Sequence, residues 1–82
     1  MKIQLTEEEY NFLLQNNFIN ENLKKNLGNI DSNYNLTIEE EQADAIRDEC
    51  GEYLQIVGFD KHDNPTPKGI ILERLIDKFF IG

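Results

Sequence analysis

TIEEEQADAIRDECGEYLQIVG, running from Thr37 to Gly58, is the stretch on which the fold turns. Its apolar residues Ala43, Ile46, Cys50, Tyr53, Leu54 and Val57 recur at three- and four-residue steps. On a wheel of about 100° per residue they fall within about 100° of one another, the stripe of a core-facing helix. Thr37, with Glu40 three residues on, has the form of a capping box and opens the helix. Gly58 closes it. Gly51, inside the helix, costs about 1 kcal/mol against Ala. It allows a close backbone approach, although it projects off the core face.

The same stretch carries most of the chain's net charge. Residues 38–57 hold seven acids and one base, Arg47, which is −6 of a net −8. The other 62 residues hold nine acids and seven bases. Glu40, Asp44, Asp48 and Glu52 lie four residues apart, so like charges stack along one stripe. Each such pair destabilises a helix by about 0.2–0.5 kcal/mol. The helix dipole relieves Glu39, Glu40 and Glu41 but does not reach Asp48 and Glu52. A surface selected only for stability would interleave bases here. The stripe therefore reads as a docking face for a basic protein, led by Glu41, Asp44, Asp48 and Glu52, with Glu40 and Glu49 at its sides. A plain solvated face is the alternative. Ile38, Ala45 and Ile56 beside the stripe form a small apolar flank, suited to an interface or to packing on the first two helices.

Working outward, Thr6 and Glu9 form a second capping box. The helix it opens runs to about Asn17, with Tyr10, Leu13 and Leu14 on one side, Phe12 on another, and Asn16-Asn17 as the break. Asn20 caps a short second helix whose stripe is Ile19, Leu23, Leu27 and Ile30, with Gly28 as its stop. After a polar loop at 59–64, Thr66 caps a fourth helix and Pro67 suits its first turn. Ile71, Leu72, Leu75, Ile76, Phe79 and Phe80 give it a broad apolar face. Residues 2–5 could form an edge strand, but no second strand is visible to pair with it. The expected fold is all-α: a small four-helix domain, residues 1–82 forming one unit.

The 82 residues, 39% hydrophobic, suffice for a modest core but not for a deep substrate cavity as well. The single cysteine, Cys50, excludes an internal disulfide, and with His62 as the only histidine a zinc cluster is not expected. Asp31, Asn33, Asn35 and Thr37 have the spacing of calcium-loop ligands. Leu36 and Gln42 stand where the turn glycine and the bidentate glutamate belong, so no metal is expected. Cys50 reads as a small buried hydrophobe. His62 reads as a surface residue. The carboxylates lie on a convex stripe, not in a cleft that would shift a pKa, so catalysis is not expected. No cofactor is expected. Net acidity argues against nucleic acid and anionic membranes as partners, and Lys24-Lys25 is too small a basic patch to reverse that. The N-terminal residues lack a signal-peptide pattern and no apolar run has spanning length, so a cytoplasmic location is expected.

One resemblance spans residues 36–80. Its pieces are Leu36-Thr37, Ala43-Asp44, Ile46-Arg47-Asp48, Leu54-Gln55 and Val57-Gly58-Phe59-Asp60. Pro65-Thr66-Pro67, Gly69, Leu72-Glu73 and Leu75-Ile76-Asp77 complete it. In these the chain resembles small acidic bacterial proteins of the kind that act as immunity proteins in toxin–immunity systems. The resemblance implies a cytoplasmic protein that binds a cognate toxin domain and blocks it; the acidic stripe adds the expectation of a non-enzymatic binder whose target is basic, such as a nuclease. The resemblance implies no catalytic residues. The alternative is a small regulatory or adaptor protein, homodimeric through the apolar face of the last helix and the Phe79-Phe80-Ile81 end.

Overall fold

A computed structural model describes residues 1–15, 19 and 21–80. The elements in chain order are β1 (Lys2–Gln4), α1 (Glu7–Gln15), α2 (Glu21–Asn26), β2 (Asn35–Thr37), α3 (Glu40–Val57) and α4 (Pro67–Lys78). The four expected helices are present, but the domain is not purely helical. β1 pairs antiparallel with β2, placing Ile3 opposite Leu36. The edge strand at residues 2–5 thus has a partner, a three-residue strand inside what reads as polar loop. Thr37 belongs to that strand, which moves the start of α3. Its N-cap is Glu39, whose backbone N–H donates to Gln42 Oε1 at 3.2 Å.

Each helix is present for a local reason. In α1, Thr6 and Glu9 form the expected reciprocal pair: the Glu9 N–H donates to Thr6 Oγ1 at 3.1 Å and the Thr6 N–H to Glu9 Oε1 at 2.9 Å. The core face of α1 is Glu9, Phe12 and Leu13, while Leu14 is exposed, so the side drawn from sequence is rotated by part of a turn. The Asn16-Asn17 break and the Asn20 cap lie outside the described residues. Ile19, Leu23 and Leu27 are buried as expected and Ile30 half-buried. In α4, Thr66 Oγ1 accepts from the Gly69 N–H at 3.0 Å, with Pro67 in the first turn.

The two polar loops share one construction. Asp31 and Asp60 each begin a hairpin turn. Asp31 Oδ1 accepts the N–H groups of Asn33 and Asn35, at 2.8 and 3.0 Å. Asp60 Oδ1 accepts those of His62 and Asn64, at 2.8 and 3.0 Å. In both, the residue three places on, Tyr34 or Asp63, has φ 62°, the left-handed conformation that closes a three-residue hairpin loop. The turn is closed by isolated bridges, Ile30 with Leu36 and Phe59 with Pro65. The hydrogen bonds from Asn35 and Asn33 hold the Asp31 carboxyl below its ordinary value.

One core joins these parts. It runs from Ile3 and Leu5 through Phe12, Leu13, Leu23, Leu27, Leu36 and Ile38 to Ala43, Ile46, Cys50, Leu72, Leu75 and Phe79. α3 packs chiefly on α4. Their junction is locked by backbone: the Thr66 N–H donates to Gly58 O at 2.8 Å, and the Thr66 hydroxyl to Val57 O at 2.7 Å. A Cβ on Gly69 would stand 2.2 Å from Gly58 O. Glycine at 69 is therefore a packing requirement of the α3–α4 turn.

Glu9 is the buried charged residue of the core, fully inaccessible. Lys78 Nζ lies 2.5 Å from its Oε1, and Arg74 Nε lies 3.7 Å from its Oε2. Arg74 also donates to Glu8 Oε1 at 2.7 Å. Burial pushes the Glu9 carboxyl up. The hydrogen bonds from Lys78 and Thr6 and the charges of Lys78 and Arg74 outweigh burial and hold it below its ordinary value. These contacts tie the first turn of α1 to the last turn of α4.

Candidate partner-binding face

The face is built on α3, whose register is fixed by its buried side. Ala43, Ile46 and Cys50 are fully buried, and Tyr53, Leu54 and Val57 pack partly buried against the core. The helical period then turns Glu40, Glu41, Asp44, Asp48 and Glu52 outward, and all five are exposed. Glu49 is half-buried at the edge. At 1.5 Å per residue, Glu40 to Glu52 spans about 18 Å. The structure thus brings all six sequence-predicted residues onto one element, five of them open to solvent.

Compensation along this face is sparse. Arg47 Nη2 lies 3.6 Å from Asp44 Oδ1, an exposed pair. Such a pair contributes little, about 0.5 kcal/mol. Among the described residues, Glu40, Glu41, Asp48, Glu49 and Glu52 make no ion pair. The three like-charge pairs from Glu40 to Glu52 together oppose the helix by about 0.6–1.5 kcal/mol.

The apolar flank expected beside the stripe is not there. Ile38 follows β2 into the core and is 4% exposed, and Ala45 packs against the core, which leaves Ile56 alone at 76% exposed. The apolar surface near the acids comes instead from the C-terminal end of α4 and the residues just after it. Phe80 is 61% exposed, and the Arg47 guanidinium lies 5.5 Å from its ring centroid. A shallow groove of about 500 Å³ runs between the two helices, lined by Arg47, Asp48, Gly51, Glu52 and Gln55 from α3, by Ile76 from α4 and by Phe80 just past its end. Gly51 makes no close backbone contact in the fold: a Cβ there would meet nothing within 4 Å. Of the residues suggested for a dimer surface at the end of the last helix, Phe79 is fully buried and Phe80 exposed, and Ile81 lies outside the described residues.

The remaining candidates are placed as follows. Cys50 is buried, and burial together with the Glu49 charge pushes its thiol up to about 12. That keeps it protonated and unreactive at neutral pH. His62 is exposed, its backbone engaged in the Asp60 turn. The Asp31 carboxylate is occupied by backbone N–H groups and the Asn35 amide. Among the described residues, no group of three or more His, Cys, Asp or Glu side chains could hold a metal ion, and no helix is long and apolar enough to cross a membrane.

Sequence reasoning passed over Phe80 as a wall of this face. α4 ends at Lys78, and no pattern in the sequence marks which of the adjacent Phe79 and Phe80 enters the core. No family model matches the chain, and no curated protein or solved structure matches it significantly.

Proposed function

We propose that this chain is a non-enzymatic binding protein whose α3 face docks a basic protein, in the manner of an immunity protein that neutralises a cognate toxin domain. The observation that carries the reading is the exposed row Asp44, Asp48 and Glu52, two members of which make no ion pair among the described residues. A nuclease domain is a fitting partner, because phosphate-binding grooves are cationic and a carboxylate row of this length can occupy one. Such complementarity acts mainly on association rate and on the choice of partner. A cytoplasmic location and the resemblance over residues 36–80 belong to the same proposal.

The test is affinity capture from the source cells with the wild-type chain and with the Asp44→Lys/Asp48→Lys/Glu52→Lys variant side by side. The proposal expects a basic protein retained by the first and lost from the second, with both baits equally helical. Equal retention by both baits would reduce the row to a solvated face.

A further inference from the structure

Gly51 is the residue the fold leaves unexplained. It lies inside an 18-residue helix, its φ is not positive, and a Cβ there would occupy open space. Alanine would fit and would stabilise the helix. What Gly51 does provide is the floor of the groove between α3 and α4. Asp48 precedes it by three residues and Glu52 follows it directly, while Ile76 and the exposed Phe80 ring form the opposite wall. The groove thus has an apolar side, an acidic rim and a floor without a side chain.

We infer that this groove receives one long cationic side chain, Arg or Lys, of a protein partner. The aliphatic stem lies over Gly51 against Ile76 and Phe80, and the charge meets Asp48 and Glu52. The inference rests on the reading of α3 as a docking face for a basic protein and names its anchor point. A long cationic side chain is the occupant that satisfies both walls, because it has an apolar stem and a charged head. The chain contains an example of the chemistry: Arg47, at one end of the groove, places its guanidinium 5.5 Å from the Phe80 centroid and 3.6 Å from Asp44. A partner side chain one turn further along would find Asp48 and Glu52 in the corresponding role.

The test is an NMR titration of the isotope-labelled whole chain at near-physiological salt. The probe is a capped helical peptide of twelve residues, with arginines beside leucines at three- and four-residue spacing. Two variants accompany it. Gly51→Leu fills the floor without a clash, and its folding is checked by circular dichroism. Glu21→Gln removes a charge from an exposed position on α2, outside the docking face. The expected result is saturable binding with shifts centred on Gly51, Gln55, Ile76 and Phe80. Gly51→Leu should weaken it by about tenfold or more, as loss of an anchor does, and Glu21→Gln by less than about threefold. Shifts spread evenly from Glu40 to Glu52, or affinity unchanged in Gly51→Leu, would overturn the groove while leaving the docking face standing. Absence of saturable binding would overturn the groove as well, and capture of a basic protein by the α3 face would then show that the broader reading survives it.

Discussion

Replacing Lys78 by Met should unfold this domain more readily at neutral pH than in mild acid. Met retains much of the apolar stem but removes the ammonium 2.5 Å from Glu9 Oε1. Removing one partner of a buried pair costs about 3–5 kcal/mol, because a charge is left without compensation. Glu9 is fully buried, but Lys78 is 32% exposed. Arg74 Nε remains 3.7 Å from Oε2, and the Thr6 N–H remains on Oε1. These partners lower the expected loss to about 2 kcal/mol, out of about 4–12 kcal/mol for a domain of 82 residues.

The pH dependence follows from the sign of the Glu9 shift. The folded carboxyl lies below its ordinary value of 4.5 in the wild type. Its contribution is therefore present above that value and fades as pH falls through the folded one. Without Lys78, burial meets less opposition and the folded carboxyl rises, so protonation relieves the variant. Both effects shrink the difference between the two chains as pH falls from about 7 to about 4. Urea unfolding followed by far-ultraviolet circular dichroism at the two pH values measures it. Glu9→Gln supplies the control: the amide oxygen still accepts from Thr6, and in that background Lys78→Met should cost little. A loss under about 0.5 kcal/mol, or one identical at both pH values, would refute the reasoning.

Three further outcomes follow from the packing. Gly51→Ala should stabilise by about 0.5–1 kcal/mol, seen as a higher urea midpoint with an unchanged slope, because its Cβ enters open space. Gly69→Ala should destabilise by about 2–3 kcal/mol in the same assay, because the atoms it meets, Gly58 O at 2.2 Å and Gly58 Cα at 2.9 Å, are backbone and cannot rotate away. Cys50 should not react with a thiol reagent in the folded chain at mildly alkaline pH and should react fully in urea, since burial and Glu49 push its thiol up to about 12. Rapid reaction of the native thiol would contradict the burial.

The helices were legible from their apolar periods, and α1 and α4 from their start signals as well. Thr6 with Glu9 and Thr66 with Pro67 act as their letters suggest, and the stripe from Ala43 to Val57 sets the face of α3. The small sheet was not legible. Asn35-Leu36-Thr37 is too short to show alternation, and its partner Lys2-Ile3-Gln4 lies more than thirty residues away. That omission led to two further corrections. With Thr37 in a strand, the helix cap passes to Glu39, and Ile38 turns into the core and is lost to any surface flank. Glu9 shows a different limit. Its capping role is local and visible, whereas its burial depends on Arg74 and Lys78, four residues apart on a helix some 65 residues on. The acidic row was fully legible, since its exposure follows from the face opposite. Its groove was not, because Phe80 joins it only through the packing of α4 on α3.

The most direct test of the docking face is the association rate with the captured basic partner, measured by stopped flow across a salt series for the wild-type chain and for Asp48→Lys/Glu52→Lys. Steered association speeds encounter by about tenfold or more at low salt and loses the advantage as salt rises. The account predicts that the variant associates at least about tenfold more slowly at low salt, with a shallower salt dependence and unchanged helicity. Equal rates and equal salt slopes for the two chains would contradict it.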